Sequence, residues 1–130
     1  MTREERELLF KDLCSRLPYG VKLQKTYDTS DPVELYLIDL GHHTVKFYKY
    51  KGEGITICDV GDIERFGQLR FKPYLLPLSS MTKAQKKYIR DNYTLGATHE
   101  LFDWLNENHF DYRGLIEKGL AIDATGLNIY

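Results

Sequence analysis

Apolar residues change their spacing twice along this chain, from a helical period to a strand period and back, and that double switch constrains the fold more than any motif present. Leu9, Leu13 and Leu17 recur at i+4 with Phe10 and Cys14 beside them, which predicts a helix over residues 2–17 with one apolar stripe. Thr2 and Glu5 have capping-box spacing, Glu4, Glu5, Lys11 and Arg16 fill the polar side, and Pro18 and Gly20 end the element. From residue 20 the alternation belongs to strands. A short one at 20–25 and a turn-rich stretch at 28–32 lead to a strand at 33–40 whose Val33, Leu35 and Leu37 share a face. Gly41 and His42 mark a tight connection to a partner at 44–51, and a turn at 51–54 leads to a third member at 55–60. Residues 61–67 break the pattern, and 68–76 supply a further strand whose end Pro73 and Pro77 confine to an edge. After Pro77 the helical period returns. Thr82 and Gln85 form a second capping box before a helix to about Tyr93, which Gly96 stops. Thr98 caps another helix, running to about His109 with Leu101, Phe102, Trp104 and Leu105 on one face, and Asp111 caps a last helical turn, 112–118, closed by Gly119.

The predicted fold is α+β in one domain, residues 1–130: an N-terminal helix, a four- or five-stranded antiparallel meander, and two or three C-terminal helices packed on one sheet face. A small partly closed barrel is the alternative. At 130 residues, with 42% hydrophobic and 28% charged side chains, the chain can bury one self-sufficient core. The residues expected inside it are Leu9, Leu13, Leu35, Leu37, Phe47, Ile57, Leu101, Trp104 and Leu105. Cys14 and Cys58 are expected as reduced, buried thiols, and neither a membrane span nor a secretory signal is read, so the expected compartment is the cytoplasm.

Net charge is −1, but residues 41–90 carry +6 and residues 91–130 carry −5. Either the two blocks attract each other in the fold, or the basic stretch faces an anionic partner. Lys46-Phe-Tyr-Lys-Tyr-Lys51 interleaves rings with ammonium groups, as a single-stranded nucleic-acid platform requires, although alternation separates Lys46, Tyr48 and Tyr50 from Phe47, Lys49 and Lys51. Lys83, Lys86, Lys87 and Arg90 add a basic helix face, with Arg70 and Lys72 before it.

Catalytic patterns are sparse. The chain has no P-loop, no nucleophile elbow and no His-Glu-x-x-His pair, and no acidic residue stands two positions before a lysine as in many metal-dependent nucleases. Gly52-Glu-Gly54 reads as a hairpin turn. His99, Glu100, Asp103 and Glu107 can share one helix face, and Asp39 stands near His42 and His43; both groups have the vocabulary of a metal site, and both read more simply as solvated polar surface. Cys14 as a nucleophile needs an electropositive setting and a base, which its place on an apolar stripe does not supply.

The stretches Lys72-Pro-Tyr-Leu-Leu-Pro-Leu-Ser-Ser-Met-Thr82 and Asp103-Trp-Leu-Asn-Glu-Asn-His-Phe-Asp-Tyr-Arg-Gly-Leu-Ile-Glu-Lys-Gly-Leu120 resemble small uncharacterised proteins encoded by phages and other mobile elements of gut bacteria. The resemblance covers about the last half of the chain. It implies a bacterial intracellular setting and a phage-related origin, and it implies no reaction, cofactor or catalytic residue. The expected function is a nonenzymatic protein-binding accessory module, in keeping with ten tyrosines, whose amphipathic rings suit interfaces. The runner-up is a nucleic-acid binder using Lys46, Tyr48, Tyr50, Lys83, Lys86, Lys87 and Arg90, and a third class is an enzyme whose site is assembled from distant residues. The expected partner is another protein; no cofactor, metal or membrane partner is expected.

Overall fold

The structure is a computed structural model; it describes residues 1–27, 31–51 and 55–130, with side chains left undescribed at 48–51 and 55–59. Helix α1 (Arg3–Arg16) runs into a 3-10 turn (Leu17–Tyr19) and strand β1 (Lys22–Lys25). Strands β2 (Val33–Asp39), β3 (Thr44–Lys51) and β4 (Ile55–Asp62) follow as an antiparallel meander. A two-residue hairpin of β5 (Glu64–Arg65) and β6 (Gln68–Leu69) precedes β7 (Phe71–Pro77), and a 3-10 turn (Leu78–Ser80) leads to α2 (Lys83–Asn92) and α3 (His99–Glu107). Short strands β8 (Phe110–Asp111) and β9 (Ile122–Asp123) close the chain. The architecture is α+β, with an N-terminal helix, a mostly antiparallel mixed sheet in the order β4-β3-β2-β1-β7-β8, and two C-terminal helices; β9 also pairs with β7. Among the described residues, no helix is long and apolar enough to cross a membrane.

The fully antiparallel meander is therefore corrected: β8 and β9 run parallel to β7. So is the edge position expected for the end of the strand carrying Pro73 and Pro77, since that end of β7 pairs with β8 and β9. Thr26 N–H donates to the Arg70 carbonyl at 2.9 Å, which makes Lys25–Phe71 a non-hydrogen-bonded pair. By alternation Leu23–Pro73 is one as well, so the N–H that proline lacks would have pointed away from β1. On that other side pairing begins only at Tyr74. The expected third helix is a run of turns, in which the Asp111 carboxylate accepts from the backbone N–H groups of Leu115 and Ile116.

The main core joins Leu9 and Leu13 of α1 to Val21, Leu23, Val33, Leu35, Val45, Phe47, Phe71 and Leu75 of the sheet region, with Ile63, Leu115 and Leu120. The sheet curls strongly. Gly61 of β4 lies over Phe71 of β7, where an added Cβ would stand 2.8 Å from the ring, so only glycine permits that approach. Leu9, Leu13, Leu35, Phe47 and Leu105 are buried as expected. Leu37 is not, because a bulge between Leu35 and Leu37 inserts one residue opposite β3; Leu37 turns outward and Ile38 packs on the core instead. Leu101 and Trp104 are half-buried, and neither α2 nor α3 contributes to the main core. Trp104 instead stacks between Tyr88 (5.6 Å) and Phe110 (5.8 Å). Ile57, Cys58 and the turns at 28–30 and 52–54 lie outside what is described.

On α1 the buried face is rotated from the expected stripe. Cys14 is exposed, whereas Asp12 and Arg16 are fully buried. Arg16 donates to Asp12 (2.8 Å) and to the Phe110 carbonyl (2.6 Å), while Arg113 donates to the other oxygen of Asp12 at 2.8 Å. This buried acid with its two arginines ties α1 to the C-terminal segment.

Candidate functional site

Ile63 organises the end of the molecule where β4 and β7 meet. Its side chain is fully buried, its N–H donates to the His43 carbonyl (3.0 Å), and its carbonyl accepts from Arg70 N–H (2.7 Å). Clamped there, the chain projects β5 and β6 as a hairpin. Arg6 of α1 braces it through a 2.6 Å ion pair with Glu64, whose carboxyl is held below the usual range by that bond.

Phe66 and Gly67 are the two tip residues, with φ of 53° and 76°. Positive φ at both central positions is the condition of a type I′ turn, where Asn-Gly is the favoured pair. Phe66 has a Cβ that this conformation penalises by about 1–2 kcal/mol, and with 93% of the residue exposed it recovers little by packing. Beside the tip lies a groove of about 250 Å³ lined by Tyr27, residues 60–62, Arg65, Arg70 and Phe71. The Arg70 guanidinium lies 3.9 Å from the centre of the Tyr27 ring, which itself meets Phe71 edge-on, and Arg65 lies 5.6 Å from the Phe66 ring.

The residues singled out from sequence are dispersed. Lys46 is exposed on β3, paired with Leu37 and Val60, and the side chains of Tyr48 and Tyr50 lie outside the description, as do those of Lys49 and Lys51. Lys83, Lys86, Lys87 and Arg90 are all exposed on α2, within an arc of about 100° at roughly 100° per residue. No hydrogen bond or ion pair joins α2 to β3 among the described residues. Among the described residues, no ion pair joins the basic middle to the acidic tail.

Asp39 and His42 do meet, at 2.9 Å, in an exposed turn where Asp39 also accepts from the N–H groups of Gly41 and His42. These bonds hold the Asp39 carboxyl low. His43 turns away to pack on Phe10. His99, Glu100, Asp103 and Glu107 are exposed; His99 and Asp103 line a polar cleft with Lys11, Asn106, Tyr112 and Arg113. Among the described residues, no three His, Cys, Asp or Glu side chains converge as metal ligands. Desolvation pushes the Cys14 thiol up, opposite to what a nucleophile needs.

Sequence reasoning missed the hairpin because an apolar Phe at the first tip position conceals the turn that the following glycine marks. Comparison with protein families, curated proteins and solved structures finds no match for the chain.

Proposed function

We propose that the protein is a nonenzymatic protein-binding module whose contact element is the β5–β6 hairpin. The observation that carries this reading is Phe66, a large ring held fully in solvent on a strained backbone. Such a residue costs folding energy through its conformation and gains almost none through packing, and an external partner is where that cost is offset. Arginine and tyrosine around it, as Arg65, Arg70 and Tyr27, are the residue types that anchor protein interfaces.

Phe66→Gly tests the reading, because glycine suits the turn and removes the ring. The variant should melt at or above the parent temperature. In nuclease-treated extract of the cells that encode the protein, the parent should retain a protein that the variant loses. An unchanged set of retained proteins would refute the proposal.

A second reading, nucleic-acid binding, is favoured by the single exposed face that unites Lys83, Lys86, Lys87 and Arg90, none of which holds an ion pair among the described residues. Phosphate contacts release counterions, so such binding would weaken about tenfold or more over a few-fold rise in salt. With an acidic tail in the same small chain, no measurable binding to single- or double-stranded nucleic acid is expected at physiological salt. Submicromolar binding lost on changing those four residues to Ala would reverse the ranking.

A further inference from the structure

Two guanidinium groups, Arg65 and Arg70, line the groove beside the hairpin, and neither is paired with a carboxylate among the described residues. Arg70 is laid against the Tyr27 ring at 3.9 Å, and Arg65 lies within cation–π range of Phe66 at 5.6 Å. Stacking occupies the faces of a guanidinium and leaves its in-plane N–H edge for a planar, two-oxygen acceptor. Asp62 lines the same groove and pairs with neither arginine, so the three side chains sum to a single positive charge. One carboxylate neutralises that charge. A phosphate dianion would overshoot it and meet Asp62 at close range, and a polyanion would do so repeatedly.

We infer that this groove receives one Asp or Glu side chain of a partner protein, with an apolar residue beside that acid packing on Phe66. The inference rests on the protein-binding reading and adds the chemistry of what is bound. About 250 Å³ accommodates a carboxylate and its methylene stem, while the exposed ring outside offers a separate apolar contact.

The test is an array of N-acetylated, C-amidated heptapeptides, randomised at every position but the fourth, which is Glu, Gln or phosphoserine. Labelled intact protein is bound to it at physiological salt. The Glu set should yield binders with an apolar residue beside the acid, and the matching Gln peptides should bind at least tenfold more weakly. Arg70→Gln should weaken the best Glu peptide at least tenfold. Arg65→Gln should act in the same direction from an exposed arm whose loss does not threaten folding. Asp62→Asn should move the preference toward phosphoserine. Equal binding of Glu and Gln peptides, a phosphoserine preference in the parent, or no binder in any set would each overturn the inference. If peptides are selected through Phe66 without preference for acid, the carboxylate falls and the protein-binding reading stands; if Phe66→Gly retains every captured protein, that reading falls on its own experiment.

Discussion

Helices α1 and α2 begin alike, each capped by a threonine hydroxyl that accepts from the backbone three residues on, and they end in opposite circumstances. On α1, Leu9, Phe10, Asp12, Leu13 and Arg16 are buried; on α2 no residue is. Yet α2 has the complete reciprocal capping box between Thr82 and Gln85, where α1 has only the Thr2 half. One helix is held by its neighbours in space, the other largely by its neighbours in sequence.

Breaking the charged strut beneath α1 should give the largest effect. Asp12→Ala removes the carboxylate that both Arg16 and Arg113 use, and Arg16 is fully buried with its Nη1 already lacking a partner. Leaving a buried charge uncompensated costs about 3–5 kcal/mol, measurable by urea unfolding. A loss below about 1 kcal/mol, the range of exposed pairs, would mean that the strut is surface decoration and the contrast between the helices is smaller than drawn.

On the same side of the molecule, His109 sharpens the comparison through pH. Its ring stacks on Tyr130 at 3.4 Å, with Arg16 of α1 and Lys22 of β1 as charged neighbours, and its Nδ1 has no partner among the described residues. Burial, then those two cations, push its pKa down to about 4. The unfolded chain therefore binds the proton more readily, and the stabilisation is complete above the ordinary value near 6.5 and lost as pH falls toward 4. Discounted for a partly exposed ring, the loss is on the order of 2 kcal/mol. Asn tolerates the left-handed backbone at this position, φ 65°, so His109→Asn removes the titration without forcing the chain. Its stability should decline less steeply than the parent's between pH 6.5 and 4.5. Parallel curves would assign the acid sensitivity to carboxylates alone.

These contrasts also explain what could be read in the chain beforehand. Strand β3 and the starts of the three threonine-capped helices follow local rules, and the residues concerned carry the signal themselves. The helical pattern places Arg16 on the polar side because one of the groups that make its burial tolerable, the Phe110 carbonyl, arrives from 94 residues away. Alternation places Leu37 in the core because it cannot register the bulge that precedes that residue. Of the candidate site, Arg70 was noted only as one more cation; its stack on Tyr27 joins two segments 43 residues apart, and nothing local announces it.

The smallest of these stability effects falls on α2, and its form matters more than its size. Tyr88 stacks on Trp104 at 5.6 Å and on Tyr93 edge-on at 6.2 Å, and Trp104 passes the contact to Phe110. No other aromatic pairing among the described residues ties α2 to the body. Tyr88→Ala should therefore cost about 0.5–1.5 kcal/mol, and the cost should appear locally. Amide exchange in residues 83–92 should accelerate while the amides of α1 and β7 keep their protection, because an element with no buried side chain can open without opening the core. If Tyr88→Ala instead lowers protection throughout the sheet, α2 belongs to the same cooperative unit as α1, and the aromatic relay through Trp104 and Phe110 carries the coupling.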